Sequence, residues 1–255
     1  MNVDTIPPPK NRHLKQIIDK GGPIGAVARL SQYSDRSGAV LDIGVNRGTM
    51  ALYLCRLFSD LPIHLIEPIP AQCDHVTTRF ARFPMVRVHQ LALSNETGTR
   101  EFLVADHLGS SSFFTNTGPE AALHSDHRMR EQITVKTARL DDWCADQQIS
   151  HISAMKIDAQ GSEYNILQGA EHMLGKQGID ILMLEWFATP HYDGVPLLDE
   201  LWGLLRGHGY SLYDLFPSRR FRNGQLRFGD AVFVSGRFLK TRLPDPRGNP
   251  RLPVS

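Results

Sequence analysis

Cysteine is scarce and scattered in this chain. Cys55, Cys73 and Cys144 stand far apart, odd in number and with no C-x-x-C pair. That argues against a disulfide framework and against a structural zinc site. Buried free thiols in a reducing compartment are expected instead. No apolar run is long enough to span a bilayer, and the opening residues MNVDTIPPPK lack an apolar signal core. The expectation is a cytoplasmic protein with no membrane span. An excess of one charge is missing too. The chain has 28 basic and 27 acidic residues, a net charge of +1, so composition gives no case for a nucleic-acid partner. Internal repeats are absent, and nothing in the sequence fixes an oligomeric state.

What is present is ordinary for a globular protein: 41% hydrophobic and 22% charged residues over 255 positions, enough for one large domain. Residues 1–37 are polar, with prolines at 7, 8 and 9 and a Gly21-Gly22-Pro23 break, and read as a helical or extended lead-in. Residues 38–236 carry the domain. Residues 237–255 are rich in proline and arginine and read as an extended or disordered tail.

Strand and helix signals alternate through the middle. Short apolar runs at 39–43, 62–66, 85–93, 153–157 and 179–186 read as buried strands. Helical spacing recurs at 49–58, 71–83, 162–174 and 195–208. Residues 99–104 and 133–140 alternate as a hairpin-like excursion, joined by a loop containing GSSSFFTNTG, whose Ser110, Ser111 and Ser112 are either turn residues or part of a substrate cover. Residues 210–215 and 231–235 are the last strands, with no helix between them, and suit an antiparallel edge. The alternation predicts an α/β fold with a mostly parallel sheet and helices on both faces.

The chemistry gathers where strands end. Asp42-Ile43-Gly44-Val45-Asn46-Arg47-Gly48 turns a strand into a helix, the place where open α/β sheets bind ligands. Gly44 would let the backbone approach a ligand, Gly48 would let the helix start close to the strand, and Asp42 could reach the ammonium of a methionine moiety. The helix amides suit its carboxylate. Asn46 stands where a dinucleotide motif G-x-G-x-x-G would have its second glycine. Glu67 closes the second strand roughly 20 residues on, the spacing of a ribose-binding acid. That acid alone does not separate S-adenosylmethionine from NAD; the turn spacing leans to the former. Asp158 ends a third strand before Gln160-Gly161-Ser162-Glu163, and can bind substrate, hold a metal or accept a proton. Ser162 reads equally well as a helix cap, with Glu163 favourable in the first turn. Glu185 ends the most apolar strand. His191, after Pro190, is a weaker candidate base. Arg219, Arg220, Arg222 and Arg227 can meet an anionic substrate or be solvated loop residues.

This ordered set resembles the FkbM family of S-adenosylmethionine-dependent methyltransferases over roughly residues 40–234. The matching segments are Asp42 to Gly48, Glu67-Pro68, Ala92-Leu93-Ser94, Leu140-Asp141-Asp142, Lys156-Ile157-Asp158-Ala159-Gln160-Gly161-Ser162-Glu163, and Glu185. The resemblance implies a Rossmann-like class I methyltransferase fold, a seven-stranded sheet whose last strand is antiparallel. It implies that Asp42, Gly44, Asn46 and Gly48 meet the methionine end, Glu67 the ribose, and Ala92 the adenine. The implied reaction is O-methylation of a hydroxyl on a small metabolite, sugar or natural product. Asp158, Glu185 or His191 would serve as the base, with no metal required. Two positions depart from the family pattern: Val45 stands for a usual alanine, and Gln160 for a usual glutamate, which removes a charge at the reacting edge. A nicotinamide-dependent oxidoreductase and a non-catalytic S-adenosylmethionine-binding module are the rival readings.

Overall fold

A computed structural model describes residues 11–105, 111–114 and 129–245. Its centre is a seven-stranded sheet in the order β3-β2-β1-β7-β8-β10-β9. The strands are β1 (Ala39–Ile43), β2 (Ile63–Ile66), β3 (Val86–His89), β7 (Ile152–Ile157), β8 (Ile179–Phe187), β9 (Tyr210–Arg220) and β10 (Leu226–Ser235). Pairing from β3 across to β8 is parallel; β10 runs antiparallel to both β8 and β9. The chain winds outward from β1 on one side and from β7 on the other. The crevice at their carboxyl ends is therefore the switch point of the sheet.

Alternate side chains leave each strand on opposite faces, and both faces are covered. Val40, Ile63, Leu65, Ala154, Ile181, Met183, Val232 and Val234 pack on one face with α2 (Gly22–Ser31), α3 (Thr49–Leu57) and α4 (Pro70–Phe80). Leu41, Ile43, Ile66, Met155, Ile157, Leu182, Leu184 and Phe233 pack on the other. There they meet α5 (Leu140–Asp146), α6 (Glu163–Gln168), α7 (Glu171–Gly175) and α8 (Leu198–Gly207). This burial on both sides explains why the strands read as continuous apolar runs.

The structure departs from the sequence expectation at four places. The run at 85–93 divides into β3 and β4 (Ala92–Ser94). The second piece leaves the main sheet to pair with β6 (Met129–Arg139), which also pairs antiparallel with β5 (Gly98–Ala105). The helix expected over 162–174 breaks into α6 and α7. Gly169 lies so close to β4 that an added Cβ would sit 2.0 Å from the Ser94 carbonyl oxygen. The Asp141 carboxylate then accepts from the amides of His172 and Met173, at 2.8 and 3.0 Å, and caps α7 from outside it. The final hairpin is longer than expected, reaching Arg220 on β9 and beginning at Leu226 on β10. Finally, the stretch from residue 237 starts within a helix, α9 (Gly236–Thr241). Ser235 caps it by accepting from the Phe238 amide at 3.1 Å, and Phe238 is buried in the core. Arg237 donates to Asp180 at 2.9 Å and binds α9 to the start of β8. The rest of the tail after residue 245 and Ser110 lie outside the described residues.

Candidate functional site

The turn from β1 into α3 is held from below. Asp42 is fully buried, and Lys156 of β7 stands beside it in register. The Lys156 ammonium lies 3.0 Å from Asp42 Oδ1 and 3.7 Å from Asp158 Oδ2. It also donates to the carbonyls of Gly44 at 2.7 Å and Ile43 at 3.3 Å. Burial alone would push this ammonium down, but Asp42 and Asp158 push it further up, so it stays charged. One cation thus ties two strand ends to the turn between them.

Gly44 has φ 73°, and a Cβ there would meet the Asp158 carbonyl oxygen at 1.8 Å. Its missing side chain makes room for the end of β7, where the sequence suggested room for a ligand. Gly48, at φ 76°, is crowded by the Phe80 ring of α4, 2.6 Å from where a Cβ would sit.

A cleft of about 610 Å³, counted with its open mouth, lies over this turn. Glu67 is part of its lining. The Glu67 carboxylate accepts from the Asn46 amide at 2.9 Å and from the Ile69 amide at 3.1 Å, and burial pushes its carboxyl up. Each oxygen keeps a lone pair beyond those bonds. Asn46, in a left-handed conformation, also accepts from Gln72 at 2.7 Å. Part of the cleft wall is apolar, where Ile69, Ala92, Phe102 and Phe113 pack as one cluster. The two phenyl rings stand edge to face, 4.9 Å apart. Gly44, Asp158, Ala159 and Gln160 line the cleft too.

Asp158 belongs to a network of acids. The Gln160 side-chain amide donates to Asp158 Oδ1 and to Glu185 Oε2, both at 2.9 Å. The Tyr192 hydroxyl donates to the Gln160 carbonyl oxygen at 2.8 Å. The Ser112 hydroxyl holds the Gln160 main-chain carbonyl. A neutral amide can give one N–H to each carboxylate; an ionised glutamate in its place would give none. Glu163 accepts from the amides of Ala159 and Gly161, at 2.7 and 2.9 Å, and so shapes the loop that presents Gln160. Burial, together with Asp158, Glu163 and Asp230, pushes Glu185 well above the usual range. Burial pushes Glu163 to about 7.

Asp230 faces Glu185 across the β8–β10 pair. Burial first, and then Asp158, lift it to about 6. The folded state therefore holds this proton more tightly than the unfolded chain does. Asp230 then costs stability that grows as pH rises from about 4 through about 6. Asp230→Asn should match the parent at pH 4 and exceed it by up to about 3 kcal/mol above pH 6.5. Urea unfolding across that window measures this; a difference that is flat with pH would be inconsistent with it.

Of the residues singled out in the sequence, Gly44, Asn46, Glu67, Ala92 and Asp158 line the cleft together. Asp42 does not line it; Lys156 pairs with its Oδ1, and its Oδ2 has no hydrogen-bond partner among the described residues. Gly48 does not, because it packs on Phe80. Glu185 stands one hydrogen bond behind Asp158, through Gln160. His191 stacks on Phe187 at 5.3 Å and meets Tyr192 edge-on, in an aromatic cluster away from the cleft lining. Sequence reasoning quoted Lys156 only within a family segment, with no role, and missed Tyr192, Phe102 and Phe113. Only Lys156 had a local signal, a lysine within an otherwise apolar strand.

Residues 42–212 match a family model described as the methyltransferase FkbM domain. The chain is 27% identical over 143 residues to the 2-O-methyltransferase NoeI of Sinorhizobium fredii, covering 54% of this chain and 59% of the relative. It is 25% identical over 194 residues to the 31-O-demethyl-FK506 methyltransferase FkbM of Streptomyces tacrolimicus, covering 68% and 72%. The chain thus spans less than two thirds of the first relative's length. Among solved structures it is similar to the fibrillarin of Aeropyrum pernix in complex with S-adenosyl-L-methionine. That match has a TM-score of 0.44 and 11% identity, over 76% of this chain and 66% of the other. It is also similar to the M. capricolum TrmK in complex with S-adenosyl-homocysteine, with a TM-score of 0.42 and 10% identity over 81% and 66%.

Proposed function

Because this chain belongs to the methyltransferase FkbM domain family, we propose that it transfers the methyl group of S-adenosylmethionine to a hydroxyl of a small metabolite, sugar or natural product. The observation that carries this reading is what one cleft at the ends of neighbouring strands brings together: the apolar cluster of Ile69, Ala92, Phe102 and Phe113, the Glu67 carboxylate, the Gly44–Asn46 backbone, and Asp158. The residues fit the cofactor. Glu67 has acceptor capacity left for ribose hydroxyls, each charge-assisted bond contributing about 1.5–3 kcal/mol. Phe102, Phe113, Ile69 and Ala92 give an adenine ring an apolar slot. The turn at Gly44 to Asn46 would take the methionine end.

Asp42 then acts through Lys156, as the charge that anchors the turn. When bound, the cofactor supplies an already activated methyl group, so the protein chiefly has to position the acceptor. Asp158 lies on the cleft with its side chain 44% exposed, and would take the hydroxyl proton as the oxygen accepts the methyl. Gln160 would keep Asp158 and Glu185 aligned, with Glu185 supporting the charge rather than touching the acceptor.

Titration calorimetry of the full chain with S-adenosylmethionine, S-adenosylhomocysteine and NAD tests this. Micromolar binding of the first two is expected, with Glu67→Ala weakening both by about 10- to 100-fold. Binding of NAD alone would overturn the reading. A deuterated methyl donor with cell extract, followed by mass spectrometry, would show the acceptor class; a label lost from the donor but never found on oxygen would overturn the O-methyl assignment.

A further inference from the structure

Ser162 occupies the residue before α6, where a serine normally caps the helix. Its hydroxyl makes no such bond; the loop amides that need acceptors are taken by Glu163. Ser162 is only 3% exposed, lines the cleft, and its Oγ has no hydrogen-bond partner among the described residues. A buried hydroxyl left unpaired destabilises the fold, so a partner that arrives from the cleft would recover a deficit already present.

Its position indicates which part of a ligand arrives there. α6 packs against β4, whose Ala92 and Leu93 form the wall of the apolar half of the cleft. Ile166, one turn along α6, lines the cleft as well and belongs to the same apolar cluster as Leu93. The other serine there, Ser111, already accepts from the Ala105 amide at 3.0 Å. Ser162 therefore offers a donor and an acceptor to something flat and apolar that carries heteroatoms on its edge.

We propose that the Ser162 hydroxyl hydrogen-bonds the edge of the purine ring of the bound nucleoside and so helps the cleft select its base. This rests on the reading of the cleft as a nucleoside site. In the absence of ligand the same hydroxyl is a small liability to the fold.

The test pairs two measurements that should move in opposite directions. Ser162→Ala in the full chain should leave the melting temperature of the ligand-free protein unchanged or slightly raised. The same change should weaken S-adenosylhomocysteine about tenfold by calorimetry, and should weaken adenosine, which lacks the amino-acid end, by a similar factor. Equal affinity of parent and variant for S-adenosylhomocysteine would overturn the contact. A loss seen with S-adenosylhomocysteine but not with adenosine would move it off the base and overturn the proposal as well. A drop in the ligand-free melting temperature would make the hydroxyl part of the fold. Failure of the parent chain to bind S-adenosylhomocysteine would instead sink the reading of the cleft itself.

Discussion

Lys156→Met should destabilise the protein by about 3–5 kcal/mol and lower its melting temperature by roughly 10 °C. The Lys156 side chain is only 7% exposed, and its ammonium is shared among Asp42, Asp158 and the carbonyls of Ile43 and Gly44. Removing it leaves Asp42, which has no exposed surface, as an uncompensated charge inside the sheet. The carboxyl must then take up a proton or carry the cost of burial. Adding Asp42→Asn to Lys156→Met should restore much of the loss, since a neutral amide no longer needs the cation. Chemical denaturation of the two singles and the double completes the cycle. If the double variant is as unstable as the sum of the singles, the ion pair is not the source of the effect. The same substitution should weaken S-adenosylhomocysteine, because the two turn carbonyls lose their anchor.

Gly44→Ala is the second large change. Its φ of 73° is costly for any residue with a Cβ, by about 1–2 kcal/mol. The added carbon would also sit 1.8 Å from the Asp158 carbonyl oxygen, which is main chain and cannot swing away. The ends of β1 and β7 would have to part at the switch point of the sheet. A loss beyond about 4 kcal/mol is expected, more than the dihedral alone would cost. Gly98→Ala serves as the control, since nothing lies within 4 Å of a Cβ there. Thermal unfolding of both variants decides the matter: a Gly44→Ala protein that melts within 2–3 °C of the parent would show that the contact can relax.

These two cases also show what the sequence could reveal. Strands such as β8, apolar along their whole length, were legible because a sheet covered on both faces leaves no alternation to read. Glu67 was legible because a fixed strand–helix–strand length sets the distance from the glycine turn to the next strand end. The division of α6 from α7 was not, because its causes are the Ser94 carbonyl and the Asp141 carboxylate, both distant in the chain. Phe102 and Phe113 were hidden for the same reason: they reach the cleft from a separate three-stranded sheet. The partner of Asp42 was hidden too, because nothing local says that Lys156, over a hundred residues later, stands beside it. Gln160 looked like a lost charge. In the fold it is a neutral bridge between two carboxylates, a role visible only once Glu185 and Tyr192 stand beside it.

The match to the family ends at residue 212, early in β9, yet β10 lies between β8 and β9 in the sheet. A fragment trimmed to the matched span would leave the whole hydrogen-bonding edge of β8 bare. It would also strip α2 and Phe238 from the apolar face formed by Ile181 and Met183. An open, flat, greasy edge of that length is a template for other chains to stack on. The span that the family model matches is thus shorter than the span that must be made together to close the sheet.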